Sequence, residues 1–311
     1  MPVGRSVVEM HSVSKVFGGR LAVDQLGLQV QRGECVGLLG PNGAGKTTSL
    51  RMIYGVTRPT AGSVRVFDTD VLEHPREIRR RLGVTLQENA VVEEISARDN
   101  LRIFARCHGL RRYEAEAKIE TLTDWLQLRA SIELPVRALS GGAQRRLAIA
   151  LSLLNDPELW ILDEPTTGLD PAVRRNLWAR IRELRDGGRT IILTTHYIEE
   201  AQRLCDRVVI MRNGRAVCSG TPRELIATHT AREALELDCT PEDEERIFHD
   251  WPSESRLRAG SQLIVFVEDS AAAIARVRER DKVVERELIS RPTNLEDVFL
   301  AVTGTHLEDG A

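Results

Sequence analysis

The sequence predicts an α/β fold built on a parallel sheet, followed by a small α+β domain. The chain has 311 residues, more than the ~100–200 of an ordinary single domain. Over the first two thirds of the chain, short apolar runs bounded by turn residues alternate with amphipathic helical stretches. This alternation is typical of a parallel sheet covered by helices on both faces.

Three mostly apolar runs are predicted to be buried strands of this sheet, because each ends in turn-forming or polar residues. They are residues 35–39, 159–162 and 190–194. A hairpin is predicted further along, where Asn213-Gly214 joins residues 207–212 to residues 215–218. The Asn-Gly pair favours a type I′ turn.

The stretch between the first two of these strands is predicted to be helical over residues ~88–154. Ile119, Leu122, Trp125 and Leu126 recur there at helical spacing, which indicates an amphipathic helix. The simplest interpretation is a helical subdomain inserted into the α/β domain.

The composition changes after Ala227. Strands are predicted at residues 233–239, 262–267 and 283–289, and helices at residues 241–250, 271–279 and 294–302. This order favours an α+β domain. The predicted domains are therefore residues 1–228 and residues 229–311.

Charge and hydrophobic pattern narrow the class of protein. The 43 Lys and Arg residues against 46 Asp and Glu residues give a net charge of −3, so no nucleic-acid partner is expected. No apolar run exceeds five residues, whereas a membrane helix needs ~20, so no membrane span is expected. Five cysteines without a C-x-x-C pair indicate a reduced cytosolic protein, in which most of them are expected to be small buried residues.

A phosphate-binding loop follows the first predicted strand. Its sequence matches G-x-x-x-x-G-K-[ST] and reads Gly40-Pro41-Asn42-Gly43-Ala44-Gly45-Lys46-Thr47. The glycines let backbone N–H groups and the N-terminus of the next helix, which includes Thr48, approach an anion. Lys46 is predicted to contact the β- and γ-phosphates of a nucleotide, and the Thr47 hydroxyl to coordinate Mg²⁺.

Two neighbouring carboxylates follow the second predicted strand. Asp163 is predicted to join the Mg²⁺ ligands, and Glu164 to act as a general base toward the attacking water. An apolar run that ends in acidic residues is common, so this interpretation depends on the phosphate loop nearby.

The segment Leu139-Ser140-Gly141-Gly142-Ala143-Gln144 resembles the LSGGQ signature of ABC-transporter ATPases. Ala143 departs from the usual glutamine, and Gln144 follows it. Ser140 is suited to cap the helix that begins there. The resemblance implies a P-loop NTPase core of the RecA-like type with the helical subdomain, and it extends over roughly residues 5–225.

Four further positions resemble family markers in the family's order. Phe17 resembles the aromatic residue that stacks on adenine, and Gln87 resembles the glutamine that senses Mg²⁺ and the attacking water. Asp170, in Gly168-Leu169-Asp170, resembles the D-loop aspartate. His196 resembles the switch histidine that contacts the γ-phosphate. The resemblance thus implies Lys46, Gln87, Glu164 and His196 as catalytic residues.

In this family two ATPase domains face each other head to tail. The resemblance implies that each ATP lies between the Lys46 loop of one copy and Ser140, Gly141 and Gly142 of the other. It also implies Mg²⁺ held by Thr47, Gln87 and Asp163. Since the chain carries one set of motifs, it is expected to pair with a second copy or a paralogue.

The C-terminal sequence narrows the resemblance to one group of the family. Residues 291–300 read R-P-T-N-L-E-D-V-F-L and resemble the ending of ATPase subunits of ABC-2 type exporters. Residues 194–201 resemble those of nodulation-type lipo-oligosaccharide exporters. This implies an ATPase that drives efflux of a drug, an antibiotic or a lipid-linked substrate through a separate ABC-2 permease, at the cytoplasmic face of the cell membrane.

Two alternative functions predict sequence features that differ from those of an exporter. A non-transport ABC ATPase acting on nucleic acid or ribosomes would carry a coiled coil between the motifs, or two motif sets. Neither pattern is present in the sequence. A sugar importer would carry a longer, all-β extension, whereas helices are predicted here.

Overall fold

The computed structural model describes residues 6–88, 90–252, 255–281 and 288–304. The strands are β1 (Ser6–Phe17), β2 (Arg20–Gln31), β3 (Cys35–Leu39), β4 (Ala61–Val66), β5 (Thr69–Asp70), β6 (Leu82–Thr85), β7 (Leu159–Asp163), β8 (Thr190–Thr195), β9 (Arg207–Arg212), β10 (Arg215–Gly220), β11 (Glu233–Asp238), β12 (Arg256–Ala259), β13 (Gln262–Val267) and β14 (Ile289–Pro292). The helices are α1 (Lys46–Ile53), α2 (Pro75–Arg80), α3 (Ala97–Cys107), α4 (Arg112–Trp125), α5 (Gly141–Ser152), α6 (Pro171–Asp186), α7 (Ile198–Leu204), α8 (Pro222–His229), α9 (Pro241–Phe248), α10 (Ser270–Arg280) and α11 (Leu295–Thr303).

The chain divides into two units, Met1–Ala216 and Val217–Ala311. The sequence-based boundary after residue 228 lies inside the second unit and stays a prediction. No helix in the described ranges is both long enough and apolar enough to cross a membrane.

A six-stranded sheet has the order β10-β9-β3-β8-β7-β6. Its strands β9 to β6 form the centre of the first unit, and β10 spans the boundary at residue 216. The pairs from β9 to β6 are parallel, which confirms the predicted α/β class. Every residue of β3, β7 and β8 is buried, as expected for strands covered on both faces. Asn213 and Gly214 both have positive φ, 51° and 80°, and form the predicted type I′ turn.

An antiparallel sheet that the sequence did not predict lies in the same unit, in the order β2-β1-β4-β5. Its long strand β1 shifts register against β2 at several points, so buried and exposed residues do not alternate regularly along it. Apolar side chains from this sheet, among them Val8 and Val30, share a core with Leu38 and Ile161 of the parallel sheet. The antiparallel sheet thereby supports the strands that end at the phosphate loop.

The helical stretch of the first unit contains α3, α4 and α5, joined by a short 3₁₀ turn at Val136–Ala138. Ile119 and Leu122 of α4 are buried, and Leu126 closes the helix at its C-cap. This is the amphipathic helix that the sequence predicts.

The second unit is an α+β structure whose sheet has the order β12-β13-β11-β14. The predicted strand at residues 283–289 lies almost wholly outside the described residues, and the strand that follows spans Ile289–Pro292. Arg291 binds the buried Asp297 through two 2.7 Å hydrogen bonds, while the Asn294 side chain caps α11. These contacts give the 291–300 segment a structural role.

The cysteine prediction is partly wrong. All five cysteines are free, but only Cys35 and Cys205 are buried, whereas Cys107 is exposed and two are half-buried. Cys107 lies at the end of α3, where its side chain is not on the face that packs against the protein.

Candidate functional site

The phosphate loop leaves β3 at Leu39 and enters α1 at Lys46. Gly45 has φ of 98°, which side chains rarely adopt, and a Cβ there would lie 2.6 Å from the Ala22 carbonyl oxygen. A Cβ on Gly40 would lie 2.4 Å from the Met211 carbonyl oxygen. Glycine is therefore required at both positions by the backbone that surrounds the loop.

Lys46 is held inside this loop. Its Nζ donates to the carbonyl oxygens of Gly40 at 2.7 Å and Pro41 at 3.1 Å, and lies 3.6 Å from Glu164 Oε1. The side chain is 5% exposed. Burial lowers the pKa of Lys46, and the nearby Glu164 and Asp163 carboxylates partly offset that effect.

Asp163 ends β7 directly beside the start of α1. Its Oδ1 accepts hydrogen bonds from the Thr47 hydroxyl at 3.0 Å and from the Thr194 hydroxyl at 2.5 Å. Because β7 and β8 are parallel neighbours, their carboxyl ends bring Asp163 and Thr194 together at one sheet edge. A hydroxyl and a carboxylate thus stand side by side next to the phosphate loop.

Glu164 follows with φ of 47°, and its backbone N–H donates to the Thr194 hydroxyl at 3.0 Å. This turn directs its carboxylate toward Lys46 on one side and His196 on the other. Oε2 lies 3.2 Å from His196 Nδ1 and accepts from the Thr167 hydroxyl at 3.1 Å. The His196 contact, aided by Lys46 and Thr167, lowers the pKa of Glu164 to about 2 although burial opposes it.

A cavity of about 570 Å³ opens beside these groups. Nine predicted site residues line it, namely Asn42, Gly43, Ala44, Gly45, Lys46, Thr47, Thr48, Gln87 and Glu164. Arg20, Leu21, Ala22 and Asn213 also line it, and the sequence interpretation missed them. Arg20–Ala22 open strand β2 and Asn213 sits in a hairpin turn, so only the folded sheets bring them to the loop.

The other nine predicted site residues do not line the cavity. Four of them, Gly40, Pro41, Asp163 and His196, contact Lys46, Thr47 or Glu164, which do line it. Phe17 is half-exposed at the end of β1, with Lys15 Nζ 4.7 Å from the centre of its ring. Asp170 caps α6, accepting from the backbone N–H groups of Ala172 and Val173 at 3.1 and 3.0 Å. The remaining three, Ser140, Gly141 and Gly142, lie at the start of α5.

The start of α5 is an exposed helix N-terminus. The Ser140 hydroxyl accepts from the Ala143 backbone N–H at 3.3 Å, as its capping role predicts. A Cβ on Gly142 would lie 3.1 Å from Val173 of α6, so α6 packs closely there. A Cβ on Gly141 would meet no atom within 4 Å.

Arg145 is a further functional candidate that the sequence did not predict. It lies on α5 and is buried, and its guanidinium donates to the backbone carbonyls of Glu164 and Gln87, two residues that line the cavity. A signal was available in the sequence, because Arg145 shares a helix face with Ala148, Ile149 and Ser152, which are all buried. A charged residue on such a face needs partners from elsewhere in the fold.

Comparison with known proteins decides the family. A family model described as "ABC transporter" matches residues 23–167. A Nod factor export ATP-binding protein I from Burkholderia thailandensis is 41% identical over 303 residues, which cover 97% of this chain and 98% of that protein. The chain belongs to the ABC transporter ATP-binding family. Another Nod factor export ATP-binding protein I, from Sinorhizobium fredii, is also 41% identical and covers 97% of this chain and 87% of its own.

Solved structures agree with this membership. A structure titled as the ATP-binding subunit of an ABC transporter is 30% identical, with a TM-score of 0.66 over 71% of this chain and 92% of that one. The cbiO1 protein of Clostridium perfringens, described as part of the ABC transporter complex cbiONQ, is 27% identical, with a TM-score of 0.65 over 71% and 91%. The predicted ABC fold and family are confirmed. As a member of the family, the chain is an ATP-binding protein and an ATPase.

Proposed function

We propose that the chain is the ATP-hydrolysing subunit of an ABC-2 type exporter, working with a separate permease at the cytoplasmic face of the cell membrane. The observation that carries the ATPase chemistry is the placement of Glu164 between Lys46 and His196, at the mouth of the phosphate loop. The export assignment draws on the names of the relatives and on the 291–300 segment.

ATP would enter the cavity with its phosphates against the backbone N–H groups of the loop and the N-terminus of α1. The Lys46 ammonium would then leave the neutral carbonyl oxygens of Gly40 and Pro41 and bind the β- and γ-phosphates. The buried positive charge would thereby be paired with negatively charged oxygens. Phe17 stands near the cavity on the hairpin that also carries Arg20–Ala22, and it is the proposed platform for adenine.

The residues next to the phosphates fit Mg²⁺. The Thr47 hydroxyl and the Asp163 carboxylate lie within 3.0 Å of each other, and both are hard oxygen donors. Gln87 lines the same cavity and is the third proposed ligand. Mg²⁺, when bound, would neutralise charge on the β- and γ-phosphates. This small number of protein ligands is suitable for Mg²⁺, because the ion usually keeps several waters and also binds substrate oxygens.

Glu164 is proposed to accept the proton of the attacking water as the water adds to the γ-phosphorus and ADP leaves. With a pKa of about 2, the carboxylate is ionised but a weak base. When the γ-phosphate draws Lys46 and His196 away, the contacts that lower its pKa are lost and its basicity rises. Binding of ATP would therefore make Glu164 a stronger base for the hydrolysis of that ATP.

The second half of the site would come from another ATPase chain. Ser140, Gly141 and Gly142 lie at an exposed helix N-terminus and do not line the cavity, so a partner's copy of them is proposed to cover the γ-phosphate. Asp170 is proposed to lie at the same interface. A head-to-tail homodimer would complete two equivalent sites.

The transported substrate is proposed to be amphiphilic. The relatives in Burkholderia and Sinorhizobium are named for export of Nod factors. We propose a lipid-linked oligosaccharide for this chain, with a drug or an antibiotic as the other members of the same class of export substrates. The permease would supply the contacts to it.

The central experiment is Glu164→Gln in the full chain. ATP binding is expected to persist, hydrolysis to fall ~100–10,000-fold to a small residual rate, and an ATP-dependent dimer to accumulate in size-exclusion chromatography. Glu158→Gln is the matched control, because Glu158 lies at the opposite end of β7 and pairs with Arg32 and Arg81. Normal ATPase activity of Glu164→Gln would remove Glu164 from the mechanism.

The export assignment is tested separately. Co-expression with an ABC-2 type permease from the same genome, followed by purification from detergent-solubilised membranes, should yield a stable complex whose ATPase activity responds to lipid-linked oligosaccharide. Purification with ribosomes or DNA instead would overturn the assignment.

A further inference from the structure

Arg145 binds two loops of the catalytic cavity at once. Its Nε donates to the Pro165 carbonyl oxygen at 2.7 Å, and Nη2 donates to the carbonyl oxygens of Asp163 at 2.8 Å and Glu164 at 2.9 Å. Nη1 donates to the carbonyl oxygens of Leu86 and Gln87. One guanidinium thus holds the backbone at Glu164 and the backbone at Gln87.

These contacts are made in a buried place. Arg145 is 5% exposed, and burial lowers its pKa, although the guanidinium stays charged. A buried charge needs several well-placed partners, and here the contacts just described are main-chain oxygens. Main-chain partners fix the course of a loop, whereas a carboxylate partner would fix only a side chain.

The helix that carries Arg145 adds a second connection. Arg145 lies in the second turn of α5, whose first turn carries Ser140, Gly141 and Gly142. The Ser152 hydroxyl at the far end of the same helix accepts from Thr85 at 2.8 Å and from Trp160 Nε1 at 2.9 Å. Thr85 precedes the Gln87 segment, and Trp160 precedes Asp163 and Glu164 along β7. Helix α5 is therefore tied to the same two strands at both ends.

We propose that Arg145 is a positioning residue that fixes the separation between Gln87 and Glu164, so that a displacement of α5 moves both groups together. This inference rests on the proposed catalytic roles of Gln87 and Glu164. Arg145 touches neither nucleotide nor water in this scheme. It acts through the backbone of the two residues that do.

A lysine at position 145 cannot make all the carbonyl contacts of Arg145. The guanidinium presents five N–H donors in a rigid plane, whereas an ammonium is a compact group on a flexible stem with three donors. Arg145→Lys keeps the charge and most of the length, but leaves at least two of the five carbonyl contacts unmade. The loops should then hold Gln87 and Glu164 less accurately, while the phosphate loop stays intact.

The chain provides a matched control in the next residue. Arg146 also lies on α5 and also donates to main-chain oxygens, those of Gly142, Leu126 and Gln127. Gly142 and the end of α4 do not carry Gln87 or Glu164. Arg146→Lys therefore makes the same chemical change at the same helix without loosening the two catalytic loops.

The test compares Arg145→Lys with Arg146→Lys in the full-length protein. For Arg145→Lys, kcat is expected to fall ~10–100-fold, while the Kd for ATP stays within ~3-fold of wild type. For Arg146→Lys, kcat should stay within ~3-fold while Tm falls by a similar amount in both variants. Equal losses of kcat in the two variants, or a loss of ATP binding that parallels the loss of kcat, would overturn the proposal.

A second measurement separates this inference from the proposed function. If Arg145 acts through Glu164, adding Arg145→Lys to Glu164→Gln should lower the residual hydrolysis by less than ~3-fold. Additive losses would overturn the positioning role while leaving Glu164 in place. Should Arg145→Lys fail to fold, Arg145→Gln, which keeps two N–H donors, takes its place in both measurements.

Discussion

Two glycine-containing helix N-termini in this protein are built in opposite ways. At α1, Gly45 has φ of 98°, and the loop before it is enclosed by the backbone at Ala22 and Met211. At α5, Gly141 has open space where a Cβ would be, and Ser140 caps the helix with its own hydroxyl. The first N-terminus carries no side-chain cap, which leaves its N–H groups available.

The difference shows what each glycine is for. Glycine at position 45 is needed by this chain's own backbone, so the phosphate loop is complete before a nucleotide arrives. Nothing in the described part of the chain requires glycine at position 141. The small residue there is explained if another molecule approaches closely, as the proposed dimer requires.

Gly45→Ala is expected to have the largest effect, because it changes a glycine that the phosphate loop requires. A Cβ there combines an unfavourable φ with a 2.6 Å approach to a backbone oxygen, so the free energy of unfolding should fall by more than ~3 kcal/mol and nucleotide binding should be lost. Urea denaturation and titration with a fluorescent nucleotide measure the two effects. Gly188→Ala is the control, since φ is 83° there but no atom lies within 4 Å. Wild-type nucleotide affinity of Gly45→Ala would refute the enclosed loop.

The contacts of Glu164, which lies beside the enclosed phosphate loop, make the free energy of unfolding depend on pH. Its carboxyl pKa is lowered from 4.5 to about 2, so the stabilisation is present above pH 4.5 and is lost as the pH falls toward 2. Between pH 6 and pH 3, the difference in free energy of unfolding between wild type and Glu164→Gln should shrink by about 2 kcal/mol. Urea denaturation of both proteins across this range tests it. A constant difference would contradict the ion contacts.

Gly141→Ala tests whether another chain approaches the N-terminus of α5. Because a Cβ has space there and alanine favours a helix, the free energy of unfolding should be unchanged or rise by up to ~1 kcal/mol. ATP binding to the single chain should be normal, but kcat should fall ~10–100-fold as the partner's phosphate contact is obstructed. Steady-state hydrolysis against protein concentration measures this loss. Full turnover would argue that position 141 faces only solvent.

Ser140→Ala is expected to cause the smallest loss of stability among these variants. Loss of the cap on α5 should cost about 1 kcal/mol of stability, and Ser140→Thr should restore most of it. Thermal unfolding of the two variants makes the comparison. Equal stability of the alanine variant and wild type would show that the cap contributes nothing.

The catalytic cluster could be predicted from sequence because its parts are local. Lys46 and Thr47 follow β3, and Asp163 and Glu164 end or follow β7. Parallel strands place their carboxyl ends at one sheet edge, so the apolar run before each motif determines where the motif lies. The family resemblance then supplied Gln87 and His196.

Residues that reach the site from elsewhere could not be predicted in the same way. Arg20, Asn213 and Arg145 meet the phosphate loop and its neighbours only through tertiary packing. The antiparallel sheet was missed for a related reason, since the register shifts of β1 remove the two-residue period that identifies a strand. Of these residues, only Arg145 could have been identified from the sequence, because it is a charged residue on a buried helix face.

The buried Lys46 also has a consequence for chemical labelling. Lysine occurs at only four positions, and two of the others, Lys15 and Lys118, are engaged with the Arg58 carbonyl and Asp156. Although burial lowers the pKa of Lys46, its side chain is 5% exposed and its Nζ donates to two carbonyl oxygens, so a small acylating reagent should modify it more slowly than an exposed lysine. Bound ATP should slow the modification further. Mass spectrometry of the single peptide that contains Lys46 would report how many sites hold nucleotide.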